Sequence, residues 1–105
     1  MSKSSITTET EWLPNATPGE ILLEDFLKPL SLSQTALARA LRVPPRRINE
    51  IVLGKRAVTA DTDLRLTRYF GLTPGFFLGL QVDHDLMARR RELGSDLELV
   101  EPRAA

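Results

Sequence analysis

Between Ser31 and Gly54 the chain reads SLSQTALARALRVPPRRINEIVLG. Apolar residues recur at spacings of three and four on both sides of Val43, which predicts two short amphipathic helices joined by a tight turn. The second of these helices carries two adjacent arginines, Arg46 and Arg47. Two helices that only pack against each other have no need for guanidinium groups on an exposed face. The pattern is therefore typical of a helix-turn-helix.

The composition limits the chain to one small domain. Its 105 residues suffice for a single hydrophobic core and are too few for two ordinary domains. No apolar run approaches the ~20 residues that a transmembrane helix needs, and the amino-terminal residues are polar and acidic where a signal peptide would be apolar. The sequence has no cysteine, which excludes disulfides and fits a reducing compartment. We therefore expect a soluble, cytoplasmic protein without a membrane partner.

Charge is unevenly distributed along a chain whose formal net charge is zero. Residues 33–60 carry six basic side chains and one acidic side chain, a net charge of +5. The flanking residues 1–32 and 61–105 have net charges of −3 and −2. A basic segment of this kind can bind the phosphates of a nucleic acid, while acidic flanks limit non-specific attraction.

Hydrophobic periodicity predicts five helices and no strand, so the expected fold class is all-α. Each predicted helix begins with a capping residue or a proline, and in chain order these are Thr17, Ser33, Pro45, Thr59 and Thr73. The ordered domain is expected to span residues 17–94, with a flexible segment over 1–16 and a loose tail over 95–105.

The outward face of the predicted third helix carries side chains suited to reading DNA. Its apolar residues are expected to point inward, which leaves Arg46, Asn49 and Glu50 on the opposite face and Arg47 at its flank. Arginine can donate two hydrogen bonds to guanine, asparagine can pair with adenine, and glutamate can accept from the N4 amino group of cytosine. Double-stranded DNA is therefore the expected partner.

Three neighbouring positions extend this surface. Gln34 stands at the exposed start of the second helix, near Arg46 across the turn, where it could hold a phosphate or a base edge. Lys55 and Arg56 follow the third helix, and with the N–H groups that begin the fourth helix they would form a phosphate clamp. Simpler interpretations remain open. Arg46 and Glu50 can form an ordinary i,i+4 ion pair, Gln34 can serve only as a helix-start residue, and Lys55 and Arg56 can belong to a solvated loop.

The sequence holds no organised catalytic or metal-binding motif. His84 is the only histidine, and its acidic neighbours Asp83 and Asp85 cannot share one helix face with it as a metal site requires. We expect His84 to be solvated. The chain also has no nucleophile elbow and no phosphate-binding loop. Neither enzymatic activity nor a cofactor nor a metal is expected.

Several motifs resemble the HigA-type antitoxins, a branch of the Xre/Cro helix-turn-helix class with a lambda-repressor-like fold. The resemblance covers about residues 17–86 and is carried by TPGEIL, LSQTALA, VPPRRINEIVLGKR, TADTDLRL and FFLGLQ. It implies a homodimeric repressor that binds an inverted repeat at its own promoter. In many members it also implies neutralisation of an mRNA-cleaving ribonuclease toxin of the HigB/RelE type.

The resemblance also implies which positions contact DNA. They correspond here to Gln34, Pro45, Arg46, Asn49 and Glu50. The class usually has glycine at the position of Arg42 and serine or threonine at that of Pro44. Arg42 is therefore expected to be strained, and one phosphate-binding hydroxyl is replaced.

A homodimer would place its two third helices about 34 Å apart, which is one turn of DNA. Its interface is expected on the last helix, around Phe77 to Leu93, because this helix has more apolar residues than one small core needs. Two other functions remain open. One is a stand-alone Xre/Cro-type repressor, and the other is a protein-interaction module with a vestigial helix-turn-helix, whose acidic flanks dock a basic partner.

Overall fold

The computed structural model describes residues 14–104, and these residues form helices and no strand. The helices are α1 (Pro18–Ile21), α2 (Gln34–Leu41), α3 (Pro45–Val52), α4 (Ala60–Phe70), α5 (Phe76–Leu93) and α6 (Ser95–Glu98). Helix α1 continues directly as a π-helical segment over Leu22–Leu27. The all-α fold class is confirmed, and the five predicted helices correspond to α1 with its π-helical segment and to α2 through α5.

Helix α6 was not expected, because residues 95–105 were predicted to lack regular structure. It is a single turn that follows Gly94, and all of its residues are exposed. Asp96 and Glu98 lie in its first turn, where negative charge interacts favourably with the helix dipole. At the other end, the predicted segment 1–16 lies mostly outside the described residues.

The first helix buries a different stripe from the one that its sequence predicts. Leu22, Phe26 and Leu30 recur every four residues, yet Leu30 is 59% exposed while Leu22 is fully buried. The π-helical segment accounts for the difference, because the N–H of Lys28 bonds to the carbonyl of Leu23 five residues earlier (3.0 Å). The regular helix then ends before the turn that contains Leu30.

Three of the predicted capping residues form the expected hydrogen bonds. Thr17 Oγ1 accepts from the N–H of Glu20 (3.1 Å), and the Glu20 carboxylate accepts from the N–H of Thr17 (2.8 Å). The hydroxyls of Ser33 and Thr59 each accept from the N–H three residues later, at 3.0 and 3.4 Å. Short-range sequence therefore fixes the starts of α1, α2 and α4.

The start of α5 differs from the prediction at Thr73. No side chain of its own segment caps this helix, which begins at Phe76. Instead Asp63, a buried residue of α4 with 1% exposure, caps it from a neighbouring helix. The Asp63 carboxylate accepts hydrogen bonds from the N–H groups of Gly75 (2.7 Å), Phe77 (2.8 Å) and Leu78 (3.0 Å).

The core lies where α1 through α5 meet. Its buried apolar residues are Leu22, Leu27, Leu37, Ala38, Leu41, Val43, Ile48, Ile51, Val58, Leu66 and Phe77. The ring of Phe26 lies 4.9 Å from that of Phe70 and 5.4 Å from that of Phe77, measured between centroids. Gly19 packs directly on the backbone of Ile51, where a side chain would clash. These contacts fix the inner face of α3 and leave its outer face exposed.

The turn between α2 and α3 contains a left-handed residue. Arg42 has φ 62° and ψ 43°, a conformation that costs a residue with a side chain roughly 1–2 kcal/mol. The strain expected at this position is confirmed. Arg65 of α4 donates from Nη1 to the carbonyl oxygens of Leu41 (2.8 Å) and Arg42 (3.4 Å), and so provides partners for carbonyls that the end of α2 leaves open.

Candidate nucleic-acid interface

The exposed side of α3 carries the residues that the sequence singled out. The Arg46 side chain is 84% exposed, and Pro45 and Asn49 are also exposed. On the opposite side, Ile48 and Ile51 are 0% and 1% exposed. Helix α3 therefore presents a polar face to solvent, and its opposite, apolar face packs in the core.

Asn49 is oriented by the start of α2. Its Nδ2 donates to Oε1 of Gln34 at 3.1 Å, which joins the two helices of the motif on their outer side. The hydrogen bond of Gln34 on this surface is with Asn49, while Arg46 binds Glu50 on its own helix. Asn49 keeps its Oδ1 and a second N–H, the two groups needed for a bidentate pair with adenine.

Glu50 lies between two arginines. Its Oε2 accepts from Nε of Arg46 (3.0 Å), and its Oε1 accepts from Nε (2.9 Å) and Nη2 (2.8 Å) of Arg56. The hydrogen bonds from Arg56 and then Arg46 hold the pKa of Glu50 below its ordinary value, so the carboxylate is ionised at neutral pH. The i,i+4 ion pair between Arg46 and Glu50 that the sequence left open is thus present, within a larger cluster.

Asp61, at the start of α4, binds a second pair of arginines. Its Oδ2 accepts from Nε of Arg65 (3.0 Å) and from Nη1 of Arg47 (2.8 Å). These bonds, the one from Arg65 foremost, lower the pKa of Asp61. Sequence reasoning missed this cluster. The spacing of Asp61 and Arg65 was a readable signal for their pair, whereas nothing local indicates the contact with Arg47.

The connector after α3 carries the two remaining predicted residues. Lys55 and Arg56 are both exposed. Arg56 is bound to Glu50 of α3, and the phosphate clamp with the start of α4 stays a prediction. Within residues 14–104, the Lys55 side chain forms no hydrogen bond or ion pair. Lys55 is therefore available for a phosphate, whereas Arg56 is engaged.

Helix α5 forms a hydrogen bond with the connector between α3 and α4 (residues 53–59). The N–H of Val58 donates to Oε1 of Gln81 (2.9 Å), and Nε2 of Gln81 donates to Oδ1 of Asp85 (3.0 Å). His84, on the same part of α5, is half-buried and not solvated as predicted. Its Nδ1 is shielded from solvent without a hydrogen-bond partner among the described residues, and its carbonyl accepts from Nδ2 of Asn15 (2.9 Å). The chain before α1 packs on this turn of α5, which explains the burial.

Farther along α5, apolar side chains are exposed on one side of the helix. Val82 is 52% exposed, Leu86 57% and Leu93 37%, at spacings that place them in one stripe. Phe77, which the sequence assigned to a dimer face, is 0% exposed and belongs to the core. Any interface on α5 must therefore begin after it. No helix in the described part of the chain is long and apolar enough to span a bilayer.

The helix-turn-helix family model matches residues 23–77, a span that contains α2, α3 and α4. Virulence-associated protein I of Dichelobacter nodosus is 52% identical over 82 residues, which cover 78% of this chain and 76% of that protein. Antitoxin HigA-1 of Vibrio cholerae is 31% identical over 84 residues, which cover 80% of this chain and 79% of that protein.

A solved structure extends the similarity to the arrangement of the helices. The Pseudomonas aeruginosa antitoxin HigA, solved with the higBA promoter, matches with a TM-score of 0.80 and 35% identity over 88% of this chain and 100% of that one. Two of these relatives are named as HigA antitoxins, and the family is one of DNA-binding regulators and antitoxins and not of enzymes. The chain therefore belongs to the helix-turn-helix family and, within it, to the HigA-type antitoxins.

Proposed function

We propose that the protein is a homodimeric antitoxin that binds DNA sequence-specifically and represses its own operon. The observation that carries this proposal is the outer face of α3, where Arg46 and Asn49 are exposed on the side opposite the buried Ile48 and Ile51. The related HigA was solved with its promoter DNA, which supports the same use of this face. Because the relatives are bacterial proteins, a DNA partner implies a cytoplasmic location.

Each residue of the surface has a chemical role in this proposal. Arg46 uses only Nε for Glu50, so both of its Nη atoms are available for the O6 and N7 of guanine. Asn49, oriented by Gln34, reads adenine. Pro45 begins α3 at the depth of the groove. Lys55 is available for a phosphate, and Arg47 and Arg56 reach phosphates when they exchange Asp61 and Glu50 for the DNA backbone.

The exposed stripe on α5 supports a homodimer. A second copy would bury Val82, Leu86 and Leu93 against their counterparts. Two-fold symmetry would then present two α3 helices to half-sites one DNA turn apart, about 34 Å. An inverted repeat is the operator that such a dimer fits.

The proposal can be tested by fluorescence anisotropy on the duplex directly upstream of the protein's own coding sequence. Arg46→Ala should weaken binding by about 1–3 kcal/mol, the contribution of one bidentate base contact. Arg103→Ala removes the same charge from the exposed tail and should leave the affinity unchanged. Absence of wild-type binding at low salt, or equal losses for the two variants, would contradict the proposal.

We infer that the second partner is a small basic ribonuclease toxin. Residues 1–32 carry a net charge of −3, and Glu20, Glu24 and Asp25 of this segment are exposed. RNA-cleaving proteins are commonly basic, and an acidic surface complements them. Co-purification with the product of the adjacent gene, followed by an mRNA-cleavage assay, tests this role.

The same experiments separate the alternatives. DNA binding without a toxin partner would favour a stand-alone repressor. Toxin binding without DNA binding would favour an interaction module with a vestigial helix-turn-helix.

A further inference from the structure

Glu50 is the only acidic residue between residues 33 and 60, and it lies on the face that is proposed to meet DNA. A carboxylate placed close to phosphates opposes binding to any duplex. Its ion pairs offer a modest contribution to stability, because the Arg46 and Arg56 side chains that it binds are 84% and 47% exposed and such surface pairs contribute about 0–1 kcal/mol. We therefore look for a role of Glu50 in DNA binding.

The two arginines that contact Glu50 are affected differently. Arg46 contributes one atom, Nε, to Oε2, and its paired Nη atoms remain available for a base. Arg56 directs both Nε and Nη2 at Oε1 (2.9 and 2.8 Å), so this edge of its guanidinium is held against α3 and its charge is paired with the carboxylate, although Nη1 has no partner within residues 14–104. Glu50 thus orients Arg46 through one contact and holds Arg56 in place through two.

We propose that Glu50 is a specificity-determining residue that keeps Arg56 from the phosphate backbone unless a hydrogen-bond donor on the DNA takes the place of Arg56. This inference rests on the proposed DNA binding. At a matching site, the N4 amino group of cytosine donates to Oε1, and Arg56 is released to a neighbouring phosphate.

At a site whose base presents no amino group to Oε1, no donor replaces the guanidinium. If Arg56 then stays on Glu50, its contact with a phosphate is lost. If Arg56 instead moves to a phosphate, the Glu50 carboxylate is left unpaired in the groove, which costs free energy. Both outcomes weaken binding to the wrong sequence. Discrimination therefore comes partly from a penalty on incorrect DNA, in addition to attraction to the correct bases.

The test compares wild type with Glu50→Gln, which keeps the shape of the side chain and removes its charge. Two probes are used: a duplex recovered by in vitro selection from a random pool, and a scrambled version of that duplex. On the scrambled duplex we expect Glu50→Gln to bind about tenfold more tightly per protomer near 0.1 M salt, the effect of one added phosphate contact. The salt slope should steepen by about 0.9 per protomer. Affinity for the selected duplex should rise less or fall.

A matched control removes a carboxylate elsewhere. Glu92→Gln eliminates the partner of Arg89 on α5 (3.0 Å) and changes the net charge by the same amount. It should leave the ratio of affinities for the two duplexes unchanged. An equal gain for Glu92→Gln would mean that net charge alone is responsible, and it would overturn the inference.

A double-mutant cycle with Arg56→Ala tests whether Arg56 is the arginine that Glu50 keeps from the phosphate backbone. In the Arg56→Ala background, Glu50→Gln should no longer increase affinity for the scrambled duplex. A gain that persists there would indicate simple repulsion by Glu50 and would overturn the inference, as would no gain at all in the wild-type background. If wild type selects no duplex from the pool, the proposed DNA binding itself fails, which is a separate result.

Discussion

The carboxylate of Asp63 on α4 accepts a hydrogen bond from the backbone N–H of Phe77 at 2.8 Å, so one helix of the core caps the next. Two further N–H groups donate to the same buried carboxylate. Asp63→Asn keeps the size of the side chain but loses the charge and an acceptor. We expect the free energy of unfolding, measured in urea, to fall by about 2–4 kcal/mol.

The control for this change is Asp83→Asn on the exposed side of α5. A surface substitution of this kind should stay within about 0.5 kcal/mol of wild type. Similar unfolding free energies for the two variants would show that the capping bonds contribute little.

Gly19 and Gly79 form a second matched pair. A Cβ on Gly19 would overlap the backbone of Ile51, whereas a Cβ on Gly79 would meet nothing within 4 Å. Gly19→Ala should therefore push α1 away from α3 and lower the free energy of unfolding by about 3 kcal/mol, the upper end of the usual cost of overpacking. Gly79→Ala should raise it by about 0.5–1 kcal/mol, because alanine favours a helix interior. Thermal and urea unfolding of both variants test the contrast, and a well-folded Gly19→Ala protein would contradict it.

The left-handed conformation of Arg42 predicts a stabilising substitution. Arg42→Gly relieves a strain of roughly 1–2 kcal/mol, part of which is offset by the greater freedom of glycine in the unfolded chain. We expect a net gain of about 0.5–1 kcal/mol. Arg39→Gly removes the same side chain from an exposed position inside α2 and should lose about 1 kcal/mol. The two arginines should thus respond with opposite signs in urea unfolding.

The proposed dimer can be tested on two leucines of nearly equal exposure. Leu86 on α5 is 57% exposed, and Leu30 after the first helix is 59% exposed. Leu86→Glu should shift the protein to a monomer in sedimentation experiments, because it places a charge in the proposed interface. Leu30→Glu should leave the oligomeric state unchanged. Dissociation by both variants, or by neither, would exclude the α5 stripe as the interface.

Much of the fold could be predicted because its determinants lie close together in sequence. The hydroxyls of Thr17, Ser33 and Thr59 cap the helices that directly follow them. The inner and outer faces of α3 follow from the helical period alone. Prediction failed at the start of α5 because its cap, Asp63, belongs to another helix, and no local pattern indicates such a partner.

In the candidate site, too, the local pattern predicted which residues are exposed, whereas their contacts depend on the tertiary fold. Periodicity placed Arg46 and Asn49 on the exposed face, but it could not predict how they are oriented. Gln34 and Asn49 meet only because α2 and α3 cross at the angle that the core imposes. The contact between Arg56 and Glu50 depends on the path of the connector, which α5 sets through its hydrogen bond to Val58.

The guanidinium of Arg65, which lies on α4, stabilises the turn between α2 and α3 through its hydrogen bonds to the carbonyls of Leu41 and Arg42. A fragment that contains only α2 and α3 would lack these hydrogen bonds. Transplanting the α2–α3 unit onto another scaffold would therefore carry over the recognition chemistry without the angle at which it is displayed. The smallest portable unit of this protein extends through α4.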